Sequence, residues 1–168
     1  MSRQRRGTVR AVTVDRGEIE DAFAEYQRRV RGGDWSSWSE LFTEDAVYLE
    51  HEYGTFYGRD AIRNWIVETM DKATGMTFPV EWYVIDEDRV VWYTWNQFPQ
   101  LPGRAASDFQ FATISILRYG GGGRWRSQED VYNAKESEAV LTDYLQAAAA
   151  AGVEFDGALQ ELLDEERS

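Results

Sequence analysis

The sequence predicts an α+β domain in which helices come first and a mainly antiparallel sheet follows. Apolar residues recur at intervals of three and four positions as far as residue 70, which indicates amphipathic helices. Beyond residue 77 the chain becomes rich in Val, Trp, Tyr and Phe, in runs separated by turn-forming Asp and Gly residues. At 168 residues, we expect one domain with a single sizeable core.

Three helices are predicted in the N-terminal part. The first ends at Gly32-Gly33, and its apolar stripe consists of Ile19, Ala22, Phe23, Tyr26 and Val30. Asp34 caps a short second helix, whose apolar positions are Trp35, Trp38, Leu41 and Phe42. A strand from Ala46 to about Glu50 and a Gly-bounded turn follow, and the third helix then carries Ala61, Ile62, Trp65, Ile66, Thr69 and Met70.

Two hairpins and a C-terminal helix are predicted next. The hairpins pair residues 78–85 with 89–98 and residues 109–119 with 124–132, and glycines 120–123 form the turn of the second. The long loop 99–107 lies between them and is expected to shape the mouth of a pocket. Asn133 and Glu136 predict a capping box for a helix that ends at Gly152. We therefore divide the chain into a flexible basic arm (1–14), a domain (15–135) and a C-terminal helical extension (136–168).

Composition excludes several classes of function. The net charge of −12 argues against nucleic acid and anionic membrane surfaces as partners. Without cysteine and with one histidine, neither a thiolate chemistry nor a zinc site is expected, and no motif indicates a cofactor. No signal peptide or apolar membrane span is evident, so a cytoplasmic location is the default expectation. What remains is proton transfer by carboxylate, tyrosine or histidine in an apolar pocket.

The segment from Tyr26 to Trp65 contains "GDWSSWSELFTEDAVY" and "GTFYGRDAIRNW". In order and spacing it resembles the start of the nuclear transport factor 2-like, or SnoaL-like, superfamily. The resemblance implies a cone-shaped, curved sheet wrapped around N-terminal helices, with one apolar pocket for a small-molecule substrate or ligand. Because members commonly dimerise through the outer sheet face, it also implies a homodimer.

Within that superfamily, residues 26–50 resemble the ketosteroid isomerase branch. By this resemblance Tyr26 matches the tyrosine that donates to the oxyanion, and Glu50 matches the aspartate base. Ser115 falls at the position of the second oxyanion donor. Polyketide-cyclase members place a base on a late strand, so Asp130 competes with Glu50 for that role. His51, beside Glu50, is a further candidate as proton donor.

Strand alternation supplies the other pocket candidates. In the last strand it places Arg126, Gln128, Asp130 and Tyr132 on one face, which the resemblance turns towards the pocket. On the strand before, Phe109, Phe111, Thr113 and Ser115 share the inward face. The full set of predicted substrate-binding residues is Trp38, Tyr48, Trp65, Trp95, Phe111, Ser115, Gln128 and Tyr132.

Three functions fit these observations. The first is a cofactor-independent isomerase, lyase or cyclase that acts on an apolar, carbonyl-bearing metabolite. The second is a non-catalytic binding protein for an apolar small molecule, and the third is a dimerising scaffold whose interior is filled by Trp side chains. Structural roles are open for the individual residues too: Tyr26 as a core aromatic, Glu50 as a solvated strand end, and Asp130 as an ion-pair partner of Arg126.

Overall fold

The computed structural model describes residues 15–155 and residue 160, so the predicted basic arm and most of the chain beyond Phe155 lie outside the described residues. The α-helices are α1 (Arg16–Gly32), α2 (Trp35–Ser39), α3 (Arg59–Lys72) and α4 (Ala134–Ala151). The strands are β1 (Phe42–Glu50), β2 (Gly54–Tyr57), β3 (Val80–Asp86), β4 (Arg89–Gln97), β5 (Gln110–Gly121) and β6 (Arg124–Tyr132). A short 3-10 helix, Ala106–Asp108, interrupts the loop between β4 and β5.

The strands form one curved, open sheet in the order β2-β1-β6-β5-β4-β3. Every neighbouring pair is antiparallel except β1 and β6, which run parallel. This confirms the predicted α+β class and the mainly antiparallel sheet. Both predicted hairpins are present, and the run of glycines forms the turn of the second, because Gly121, Gly122 and Gly123 all adopt positive φ angles.

Two elements differ from the prediction. Helix α2 ends at Ser39, and Phe42 instead begins β1, where it pairs with Trp125 of β6. The turn after Glu50 contains a short strand, β2, which pairs with β1. Its residues are mostly exposed, so no alternation of apolar and polar side chains marks it as a strand in the sequence.

The three N-terminal helices cover the inner face of the sheet. The predicted stripe of α1 is buried as expected, and Phe23 and Tyr26 contact Trp92 of β4 and Trp125 of β6 with ring centroids 5.6 to 6.5 Å apart. Trp38 of α2 packs on Tyr26 from the other side, at 5.6 Å. This part of the interior is therefore filled by aromatic rings.

The predicted orientation of side chains along β6 is wrong at its start, because a β-bulge lies at Arg126. Arg118 pairs with Ser127 and Tyr119 pairs with Trp125, so Arg126 has no partner across the hairpin. The extra residue reverses the alternation: Trp125 turns into the core with no exposed surface, and Arg126 turns outward to an ion pair with Asp88. Arg126 therefore neither faces a pocket nor pairs with Asp130.

Helix α4 builds a second, smaller core. Asn133 caps its start by accepting from the Lys135 N–H, without the predicted reciprocal bond from Glu136, and Gly152 ends the helix in a left-handed conformation at the predicted position. Tyr144 of α4 stacks on Phe98 at 4.8 Å and contacts Phe109 at 5.4 Å, at the ends of β4 and β5. Among the described residues, no helix is long and apolar enough to cross a membrane.

Candidate functional site

One lateral row of the sheet brings the predicted polar residues together. Asp130 on β6 pairs directly with Ser115 on β5 and with Glu50 on the parallel neighbour β1. Two residues back along β1 and β6, on the same face, Tyr48 pairs with Gln128. Since paired residues project from the same face, all five side chains point towards the helices.

Gln128 is the centre of a buried hydrogen-bond network. Its Oε1 accepts from the Tyr26 hydroxyl at 2.8 Å, and its Nε2 donates to the Tyr48 hydroxyl at 2.9 Å and to Asp130 Oδ1 at 3.0 Å. The Tyr48 hydroxyl in turn donates to Asp130 Oδ2. Tyr26, Tyr48 and Gln128 are each at most 3% exposed, so the network is shielded from water.

Burial raises the pKa of the Asp130 carboxyl above its ordinary value, because desolvation disfavours the charged form. Hydrogen bonds from Ser115, Tyr48 and Gln128 act in the opposite direction, and the negative charge of Glu50 adds to the rise. Asp130 itself is only partly buried, unlike the rest of the network. A partly accessible carboxylate with a raised pKa has the properties of a general base or acid.

The two buried phenols stay protonated. Burial raises the pKa of both Tyr26 and Tyr48 well above the ordinary value, with the Asp130 charge as a further cause. Each phenol therefore acts as a donor, and each donates within the network: Tyr26 to Gln128 and Tyr48 to Asp130. The single proton of Tyr26 is thus already engaged inside the protein.

Glu50 is buried, not solvated. It is 4% exposed, and its Oε2 accepts from the backbone N–H groups of Glu52 and Tyr53, both at 2.7 Å. It therefore fixes the β1–β2 turn. Tyr132 lies two residues beyond Asp130 on the same face, and its pKa is raised by burial and by a hydrogen bond with Glu50.

Exposure increases along β6, from buried Gln128 to partly buried Asp130 and Tyr132, so the site opens towards the end of that strand. Aromatic rings line this opening. Trp65 of α3 packs on Tyr48 at 4.8 Å, and Phe111 of β5 lies 5.6 Å from Tyr132. An apolar rim with a carboxylate beneath it suits an apolar small molecule that carries one polar group.

Three predicted residues lie away from this opening. His51 is exposed and contacts Glu129 at 3.0 Å. Trp92 and Thr94 occupy the inward positions of β4, so Trp95 lies on the outer face of the sheet. There its ring centroid is 5.4 Å from that of Tyr93. The prediction that Trp95 lines the pocket is therefore wrong. Trp38 points inward, but it is only 1% exposed and is packed in the core beside Tyr26, away from the opening.

The sequence analysis did not single out the polar residues of β4. Asn96 donates from Nδ2 to Thr113 Oγ1 at 2.6 Å, and Thr94 Oγ1 donates to the Pro79 carbonyl at 2.9 Å. Both lie on the inward face, beyond buried Trp92. The sequence does contain a signal for them, because counting alternate residues from Trp92 places Thr94 and Asn96 at inward positions. Polar residues at inward positions of a central strand mark the end of the apolar core.

The fold and the site define a class: curved-sheet proteins in which the last strand presents a carboxylate beneath covering helices. A comparison with protein families matches the SnoaL-like domain over residues 23–128. The chain belongs to this family. A search of curated proteins gives no significant relative.

Solved structures support the same fold. An LEH-like epoxide hydrolase of M. tuberculosis superposes with a TM-score of 0.63 at 16% identity, covering 80% of this chain and 96% of that one. An epoxide hydrolase/cyclase-like enzyme of pyran ring formation in salinomycin gives 0.59 at 17% identity, covering 73% and 95%. A protein of ketosteroid isomerase-like fold from Catenulispora acidiphila, in complex with trimethylamine, gives 0.57 at 20% identity, covering 71% and 90%.

Proposed function

We propose that this protein is a cofactor-independent acid–base enzyme that acts on an apolar, carbonyl-bearing small molecule, with Asp130 as the proton-transferring group. The observation that carries this proposal is the combination of partial exposure and a raised pKa at Asp130, at the open end of an otherwise buried network. A general base is most effective when its pKa lies near the working pH.

The network gives Asp130 a fixed orientation. Tyr48 holds Oδ2 and Gln128 holds Oδ1, and Tyr26 in turn fixes the amide of Gln128. A carboxylate offers about four acceptor positions, so these bonds leave room for a substrate proton. In this arrangement Tyr26 is a positioning residue, and it acts on Asp130 through Gln128.

Tyr132 is the residue that we assign to the substrate carbonyl. It lies on the same face as Asp130, two residues nearer the opening, and its raised pKa keeps the phenol protonated. Its hydroxyl bonds Glu50 in the free protein, and in this proposal the substrate carbonyl replaces Glu50 as the acceptor. When Asp130 removes a proton next to the carbonyl, a phenol in this place stabilises the negative charge that develops on oxygen. Trp65 and Phe111 provide the apolar walls.

The similar structures support catalysis of this general kind. Two of them are described as an epoxide hydrolase and as an epoxide hydrolase/cyclase-like enzyme. Epoxide opening also needs an acid or base in an apolar site, so epoxides belong beside ketones among the substrates to test.

The test is exchange of α-protons for deuterium in a panel of apolar ketones, with a parallel panel of epoxides followed by product analysis. We expect turnover of at least one compound, lowered by roughly 100-fold or more in Asp130→Asn. Glu129→Gln is the matched control, because it removes a carboxylate one residue away on the other face. Equal activity in Asp130→Asn and in the unaltered protein would refute the proposal.

A non-catalytic binding protein is the second candidate, and the aromatic rim favours it. Trp65 stacks on Phe56 at 4.5 Å beside the opening, which provides a flat apolar surface for a ligand. Under this alternative, apolar ligands raise the melting temperature equally in the unaltered protein and in Asp130→Asn, and none of them is converted.

We also propose a homodimer through the outer sheet face. A shallow groove there is lined by Val47, Leu49, Val84, Val91 and Ile116. Its charged lining residues Arg89 and Arg118 are paired within the chain with Asp86 and Asp88, which leaves the apolar strip as the surface that packs on a second copy.

A further inference from the structure

Two carboxylates lie side by side at the site. Glu50 and Asp130 are directly paired on parallel neighbours β1 and β6, and both side chains point to the inner face. A negative charge on the directly paired position disfavours ionisation of Asp130.

The surroundings of the two groups are unequal. Glu50 accepts two backbone N–H groups on one oxygen, and these bonds exist only because the β1–β2 turn is folded. Backbone donors of this kind hold the carboxylate in one position. Asp130 receives its bonds from the side chains of Tyr48, Gln128 and Ser115 and lies nearer the opening, whereas the side chain bonded to Glu50 is that of Tyr132.

We propose that Glu50 is a positioning residue whose fixed negative charge, held by the β1–β2 turn, makes Asp130 the proton-binding member of the pair. Glu50 touches no substrate in this role and acts through Asp130. The inference rests on the proposed function for its catalytic meaning, although the pairing itself can be tested without any substrate.

The other groups that face Asp130 are accounted for. Tyr48 comes from β1 and Tyr26 from α1, and both phenols are protonated. Tyr132 follows on β6 and is protonated too. The neighbour on β5 is Ser115, which does not titrate in this range. Glu50 is thus the one charged neighbour among the groups that influence Asp130 in the described residues.

The experiment is a carboxyl ¹³C NMR titration of the full chain, with the Asp130 signal assigned by its loss in Asp130→Asn. We expect Asp130 to titrate at lower pH in Glu50→Gln, because the neutral amide keeps an oxygen for the turn N–H groups but removes the charge. Glu50→Asp retains the charge and should restore most of the original behaviour. Glu129→Gln, on the outer face, should leave the titration unchanged.

The proposal is overturned if Asp130 titrates at the same pH in Glu50→Gln, or if Glu129→Gln shifts it equally. Should Glu50→Gln fail to fold, Glu50→Ser removes the same charge with a smaller side chain, and the same downward shift is expected. The outcome is separable from the proposed function. A shift in Glu50→Gln together with full activity in Asp130→Asn supports the pair and refutes the enzyme, whereas the opposite results refute the pair alone.

Discussion

The hydrogen bond between Tyr26 and Gln128 provides the most direct test of the network. Tyr26→Phe removes only the hydroxyl, and it leaves Gln128 Oε1 without the donor that now lies at 2.8 Å. An unpaired buried acceptor lowers the free energy of unfolding by about 1–3 kcal/mol. For a domain of this size, each 1 kcal/mol corresponds to about 2–4 °C in melting temperature.

Gln128→Leu should have a larger effect. It keeps a similar volume but removes three hydrogen bonds, to Tyr26, Tyr48 and Asp130, and the Tyr26 hydroxyl is then buried without its acceptor. We expect a loss of roughly 2–4 kcal/mol. In the double variant no unpaired group remains at the Tyr26 end, so its loss should be smaller than the sum of the single losses by about 1–2 kcal/mol.

The assay is chemical denaturation of the four proteins of this double-mutant cycle, with thermal unfolding as a second measure. Tyr57→Phe is the matched control, since that phenol is 72% exposed and its removal should change stability by less than about 0.5 kcal/mol. Additive losses in the double variant, or a Tyr26→Phe effect no larger than that of Tyr57→Phe, would show that the hydrogen bond carries no stability.

Three further outcomes are expected. Because the pKa of Asp130 is raised in the folded state above its ordinary value of 3.8, folding favours the protonated form, and stability falls as pH rises through the folded pKa. Asp130→Asn has no such proton to lose, so its stability relative to the unaltered protein should increase as pH rises above about 4 in denaturation curves. Gly120→Ala should lose about 1–3 kcal/mol, since its Cβ would lie 2.9 Å from the Thr43 methyl, whereas Gly32→Ala meets nothing within 4 Å and should be neutral or slightly stabilising. Val84→Arg, on the proposed dimer face, should yield monomers in sedimentation experiments; dimers of unchanged affinity would exclude that face.

Much of the fold is readable from the sequence because the local signals agree with each other. The stripe of α1, the turn glycines of the β5–β6 hairpin and the cap at Asn133 each have one physical interpretation, and the structure has each of them. Strand β2 was not predicted, since its four residues, three of them exposed, gain their pairing from β1 and carry no pattern of their own. Tertiary pairing supplies what the local sequence does not.

The inward orientation of several candidate residues was predictable, whereas the hydrogen bonds between them were not. Tyr26, Glu50, Gln128 and Asp130 are all inward residues, as the resemblance and the alternation imply. Their partners depend on the lateral register of strands β1, β6 and β5, which a single sequence does not encode locally. This is why Glu50, expected as a base exposed to substrate, is instead bonded to the turn that follows it.

The bulge at Arg126 shows how closely the core and the site depend on one another. Without the extra residue, strict alternation from Asp130 and Gln128 would turn Arg126 inward and Trp125 outward. The bulge allows one strand to place Trp125 against Phe23 and Tyr26 in the core and still present Gln128 and Asp130 to the same side. The carboxylate therefore keeps its place beside a core rich in aromatic rings. Burial of this kind is the largest cause of the raised pKa of Asp130.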